Sequence, residues 1–195
     1  MTIAFHSCFP LRASRVHEVC GPGASGFAAI ACARASGNLL WIREGWRNER
    51  LNPLGLSRFF DPHRLLVAQA GNQTEVLAVT EEALRDSSVP LVLADLNRPL
   101  TLTAGRRLQL AAKAGNSTGL CLIGEGMGSN AAETRWHAAP LYDPEPGDST
   151  RMRWKLIKNK SGTIGAWDVR WDHTARRLDV VSPPAQRSGA AGPSG

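Results

Sequence analysis

The sequence predicts an α/β fold: a mostly parallel sheet flanked by helices, closing on a C-terminal antiparallel hairpin. Three observations carry this. Apolar runs of strand length alternate with longer amphipathic runs, the order of successive β-α-β units. Val89-Pro90-Leu91-Val92-Leu93-Ala94-Asp95 is apolar until its last residue, as befits a parallel strand buried on both faces. Two alternating runs, Arg151–Ile157 and Ala166–Trp171, flank the turn-forming Lys158-Asn159-Lys160-Ser161-Gly162.

The elements follow in order. Val16-His17-Glu18-Val19 reads as the first strand, and Phe27 to Ala35 as the apolar body of the first helix. Asn38-Leu39-Leu40-Trp41-Ile42-Arg43 is a short strand behind Gly37. Glu44 to Pro53 is polar and loop-like, Leu54 to Pro62 a compact connection, and Arg64-Leu65-Leu66-Val67-Ala68 a third strand. Asn72-Gln73-Thr74-Glu75 has capping-box spacing ahead of a helix carrying Val76, Leu77, Val79, Ala83 and Leu84. A helix from about Thr103 to Ala114 stops at Gly115, and Leu120-Cys121-Leu122-Ile123 is the next strand. Residues 140–148 read as a loop. The division expected is a short N-terminal segment at 1–14, one domain at 15–181, and a disordered Pro, Ser, Gly and Ala tail at 182–195.

Between the first strand and helix lies Cys20-Gly21-Pro22-Gly23-Ala24-Ser25-Gly26-Phe27-Ala28. The setting and the Gly21-to-Gly26 spacing are those of a phosphate loop. Phe27 stands where that loop needs lysine, and Ala28 where it needs a hydroxyl for Mg²⁺. Gly21, Gly23, Gly26 and Phe27 therefore read as a degenerate phosphate loop, with a tight helix–strand turn as the plainer alternative. Asp95, at a strand's carboxyl end, is a degenerate Walker B acid whose expected duty is helix capping or a turn. No catalytic constellation, cofactor or metal site emerges. The five histidines lack ligand spacing, and the four cysteines contain no C-x-x-C pair, so buried free thiols are expected.

The net charge is +6 in 195 residues. Residues 151–177 hold eight Lys or Arg against two Asp, which accounts for the whole excess, and three of the six tryptophans fall there too. Arg151, Arg153, Trp154, Lys155, Lys158 and Lys160 form the candidate site for DNA or a partner, because cations track phosphates and aromatics stack bases. The alternative is a solvated edge hairpin. With no apolar run of membrane length and no secretory pattern, the cytoplasm is the expected location.

The order of motifs resembles the RecA core. Residues 54–70 resemble the RecA segment leading into its Gln-Pro-Asp-x-Gly-Glu-Gln helix, Val89 to Asp95 its Walker B strand, and Trp154 to Lys160 the strand ending in its Lys-Asn-Lys motif. More specifically, the chain resembles the ImuA family. The resemblance rests on Val16-His17-Glu18-Val19-Cys20-Gly21, on Thr103 to Ala112 with Arg106-Arg107-Leu108-Gln109-Leu110, on Thr134-Arg135-Trp136, and on Asn159-Lys160-Ser161-Gly162 followed by Trp167-Asp168-Val169-Arg170-Trp171-Asp172. It implies a RecA-like core and a non-catalytic accessory role in SOS-induced, error-prone translesion DNA synthesis. The implied partners are an ImuB-type polymerase-like hub, RecA and, indirectly, an error-prone polymerase, with single-stranded DNA as a further candidate and no membrane. The alternatives are a RecA-like ATPase with a variant phosphate loop and a SulA-type cell-division inhibitor. The core begins almost at once, which speaks against a RecA-like polymerisation arm. The short segment Gly124 to Ala132 speaks against DNA binding through the equivalent of RecA's second DNA-binding loop.

Overall fold

The computed structural model describes residues 4–143 and 147–181. The tail expected at 182–195 lies outside them. Nine strands form one sheet: β1 (Val16–Cys20), β2 (Leu39–Glu44), β3 (Leu65–Ala70), β4 (Leu91–Asp95), β5 (Thr118–Leu122), β6 (Thr134–Pro140), β7 (Ser149–Asn159), β8 (Gly165–Asp172) and β9 (Arg177–Val181). Their order is β3-β2-β4-β5-β1-β6-β7-β8-β9. The first six in that order run parallel, and β6 to β9 form an antiparallel meander. Helix α1 (Ala24–Arg34) covers one face, and α3 (Gln73–Asp86) and α4 (Leu102–Ala114) cover the other. The short α2 (Pro53–Ser57) sits in the β2–β3 connection.

Local chemistry explains the helix ends. Asn72 Oδ1 accepts from Glu75 N at 3.1 Å, and the Glu75 carboxylate reaches back to Gly71 N at 2.8 Å, a reciprocal cap on α3. Thr101 Oγ1 caps α4 through Ala104 N. At the far end of α4 a Cβ on Gly115 would collide with the Leu84 carbonyl, so only glycine lets α3 and α4 close up there. β1 and β4 are buried at every position, as expected of central parallel strands.

Two cores result. On the α1 side, β2, β4, β5 and β1 meet a large aromatic cluster built by β6 to β8. On the other side, α3 and α4 pack on β1, β2, β4 and β5. Phe5, Cys8 and Phe9 belong to the first core, with Phe9 stacking edge-on against Phe27 and Trp154 at 5.7 and 5.0 Å. Packing therefore joins residues 5–9 to the domain and draws no boundary at residue 15.

The hairpin expected around 158–162 is β7–β8. The sequence reading missed β6 and β9. β6 takes up the sheet beside β1, and β9 closes the meander, so neither hairpin strand is an edge. The solvated-edge alternative for this segment is therefore corrected: β7 is hydrogen-bonded on both sides.

Candidate functional site

β1 ends at Cys20 and α1 begins at Ala24, so only Gly21-Pro22-Gly23 connects them. Gly21 has φ +90°, and a Cβ there would lie 2.6 Å from the Ala138 carbonyl oxygen. Both facts demand glycine. Gly23 N donates to Ala138 O at 2.8 Å, and Ala24 N donates to Gly21 O at 3.0 Å. These two amides are engaged within the protein, one of them by β6. Gly26 is not a loop residue but lies in the first turn of α1, where a Cβ would press on Met152 Sδ at 3.1 Å. Phe27 is fully buried and sits 4.3 Å from Trp154 and 5.5 Å from Trp136, ring centre to ring centre. The expected phosphate loop is thus a tight turn pressed onto β6, with its helix begun three residues before Phe27.

Beside α1, at the carboxyl ends of β2, β4 and β5, lies a cleft of about 690 Å³. This is where open α/β sheets place ligands. Ser25, Leu56, Phe59, Ile123 and Met127 contribute to its walls. Asp95 lies on its floor and accepts from Trp41 Nε1 at 2.9 Å and Arg47 Nη1 at 3.1 Å, with Arg43 Nε 3.4 Å away. Arg47 also donates to Asn97 Oδ1 at 2.6 Å, and Arg43 to the Glu49 carbonyl at 2.7 Å. Asp95 neither caps a helix nor makes a turn. The capping expectation is corrected: it is the anion of a buried cluster that fastens the β2–α2 loop to β4. Arg43, Arg47 and Asn97 were missed from the sequence. The available signal was charge at the ends of two paired apolar strands, since β2 and β4 align Ile42 with Ala94 and so bring residues 43 and 95 level.

Three motifs that carried the family resemblance meet around β1. His17 Nε2 lies 2.9 Å from Arg12 O, which can only accept, so the proton is on Nε2. Nδ1 then accepts from Thr134 Oγ1 at 2.7 Å, and Thr134 in turn accepts from Trp136 Nε1 at 3.0 Å. Burial holds His17 down at a pKa of about 4, against its ordinary 6.5. Glu18, also buried, accepts from Ser129 N at 2.9 Å and Arg135 Nε at 2.7 Å. Gln109 of α4 clamps Val16 through both backbone groups and reaches Ala131 O. These contacts tie down the segment 124–133, which is held by β1 and α4 rather than extended as a free loop.

On β7, Arg151, Arg153 and Lys155 share one face, as the alternation predicts. Met152, Trp154 and Leu156 share the other, in the core with Trp167, Val169 and Trp171 of β8. Trp154 is fully buried, so its expected place on a charged binding face is corrected: it packs on Phe27. Arg153 forks onto buried Asp168 at 2.6 and 2.9 Å, and Arg170 pairs with Asp143 at 3.2 Å. Lys158 donates to Ala132 O. Lys155 and Lys160 are exposed and Arg151 is half-buried.

All four cysteines are buried and free, and burial pushes the Cys32 thiol up to about 12. Among the described residues no group of three His, Cys, Asp or Glu could hold a metal, and no helix is long and apolar enough to cross a membrane. No protein-family model matches the chain. Two curated relatives are described as Protein ImuA, from Caulobacter vibrioides strains NA1000 / CB15N and ATCC 19089 / CIP 103742 / CB 15. Each is 28% identical to this chain over 222 residues, covering 96% of this chain and 90% of the relative.

Proposed function

As a member of the ImuA family, the chain serves, we propose, as a non-catalytic accessory protein in error-prone translesion DNA synthesis induced by DNA damage. In this reading it binds an ImuB-type polymerase-like hub and RecA, and reaches the error-prone polymerase through them. The observation that carries the reading is Phe27, seated in the aromatic core at the position where a nucleotide-hydrolysing relative would present lysine. Supporting it, the glycine turn gives one amide to β6, and Asp95 is already neutralised by Arg43 and Arg47. The strand order, the glycine turn and the acid ending β4 support a RecA-like core that has exchanged phosphate chemistry for packing.

Phosphoryl transfer depends on positioned cations around the transferred group, and losing them costs orders of magnitude in rate. The test pairs two measurements. Turnover of ATP, with and without single-stranded DNA, should stay at background. Co-purification should recover the chain with the ImuB-type protein and with RecA. DNA-stimulated hydrolysis abolished by Asp95→Asn would overturn the non-catalytic reading, and failure to associate with both proteins would overturn the accessory one.

A further inference from the structure

The two edges of the sheet are built differently. β9 carries Arg177 and Asp179, paired at 3.0 Å on exposed side chains, the kind of charge that deters strand addition. β3, Leu65-Leu66-Val67-Ala68-Gln69-Ala70, has neither charge nor proline. Leu66 is 54% exposed and Val67 49% exposed. Their side chains lie on opposite faces of the sheet, since Leu65 packs on the α1 core and Ala68 on the α3–α4 core. Gly45 N donates to Ala70 O, which turns the backbone groups of residues 66, 68 and 70 toward β2. By alternation, those of 65, 67 and 69 face outward. Leu65 N is already bonded to Pro62 O, while the outward groups of Val67 and Gln69 have no strand beside them among the described residues.

We propose that β3 pairs antiparallel with β3 of a second copy about a two-fold axis at Val67, forming a continuous sheet across two chains. The outward-facing residues 65, 67 and 69 are symmetric about Val67, so the antiparallel register falls in phase with itself. Val67 exchanges both of its backbone hydrogen bonds with its counterpart. Gln69 N–H reaches the Leu65 carbonyl of the other copy, for about four bonds in all. Val67 then lies against Val67 on one face and Leu66 against Ala68 on the other, with no like charges brought together. β9 cannot match β3 as well, because its Arg177 and Asp179 would have to leave water beside an apolar strand. A pair of six-residue strands covers less than the roughly 1,600 Å² of a standard interface. The dimer is therefore weak, with dissociation in the micromolar range or above.

Sedimentation of the whole chain from about 5 to about 500 μM should show a monomer–dimer equilibrium, concentrations that bracket such an affinity. Val67→Lys, on an exposed side chain, should shift it at least tenfold toward monomer with an unchanged circular dichroism spectrum. Under mild oxidation Val67→Cys should give a disulfide-linked dimer, since hydrogen-bonded antiparallel partners sit at about 5.5 Å between Cα atoms, within disulfide reach. Leu66→Cys and the β9 control Val180→Cys should not. A wild type that stays monomeric throughout overturns the proposal. So does Val67→Lys associating as the wild type does, or Val180→Cys cross-linking as well as Val67→Cys; the last result would mean that two β9 edges meet each other.

Discussion

Acidification from pH 7.5 to 5 should cost the fold about 2 kcal/mol through His17 alone. Desolvation by burial is the chief cause of its depressed pKa, with the Arg12 carbonyl bond and Glu133 pulling the other way. The folded pKa of about 4 lies below the ordinary 6.5, so the unfolded chain takes up the proton first. His17 therefore imposes no penalty above pH 6.5, and its stability contribution is lost progressively as the pH falls from there toward 4. The full separation is worth about 3 kcal/mol, and about 2 kcal/mol of it is gone by pH 5. For a domain of this size that is a fall in Tm of roughly 4–8 °C. Other groups titrate over the same range, so the assay is a difference. Urea unfolding of wild type and His17→Gln should be compared at pH 7.5, 6.5, 5.8 and 5.0. Glutamine cannot titrate, so the wild-type advantage should shrink by about 2 kcal/mol across the series. A constant difference would refute the reasoning, as would an imidazole pKa near 6.5 measured by NMR in the folded protein.

Phe27→Ala should destabilise by about 3–5 kcal/mol in chemical denaturation, the range for emptying an aromatic core site. Phe27→Lys, which writes the phosphate-loop residue back, should also destabilise and yield no ATP turnover; turnover in a folded Phe27→Lys variant would show that the side chain can leave the core. Gly26→Val should lower stability by about 1–3 kcal/mol by overpacking against Met152, whereas intact stability with impaired partner association would return a ligand role to this turn. Arg151→Ala/Lys155→Ala/Lys160→Ala should weaken association with single-stranded DNA or RecA filaments, reducing the salt slope by about one for each phosphate left without its cation; equal affinities and slopes for both ligands would leave this face as a solubilising one. Arg153 is omitted because its removal would strand buried Asp168, a cost to folding rather than to binding.

Much of the fold was legible because periodicity reports burial. β4 announces itself as an unbroken apolar run, and Asn72 with Glu75 marks the start of α3 to the residue. β6 was missed because Thr134-Arg135-Trp136-His137 holds three polar residues in four and shows no clean alternation, and its strand character depends on β1 and β7 on either side. The site was less legible. Glycine spacing gave the turn between β1 and α1, but not where α1 begins, and those three residues decide whether Gly26 lines a loop or packs on Met152. The charge of β7 was visible. That Asp168 would answer Arg153 required the register of β7 on β8, which pairs the two.

The meeting of Glu18 with Arg135 and of Gln109 with Val16 changes what a hunt for partner-binding residues should look for. The stretches by which this chain declares its kinship are fasteners, holding strands far apart in sequence to one another. Substitutions there would abolish any activity assayed in cells, yet would do so by lowering the amount of intact protein. Residues that choose a partner belong instead to positions left exposed, Lys155 and Lys160 among them, and they come into view only when each variant's abundance is measured beside its phenotype.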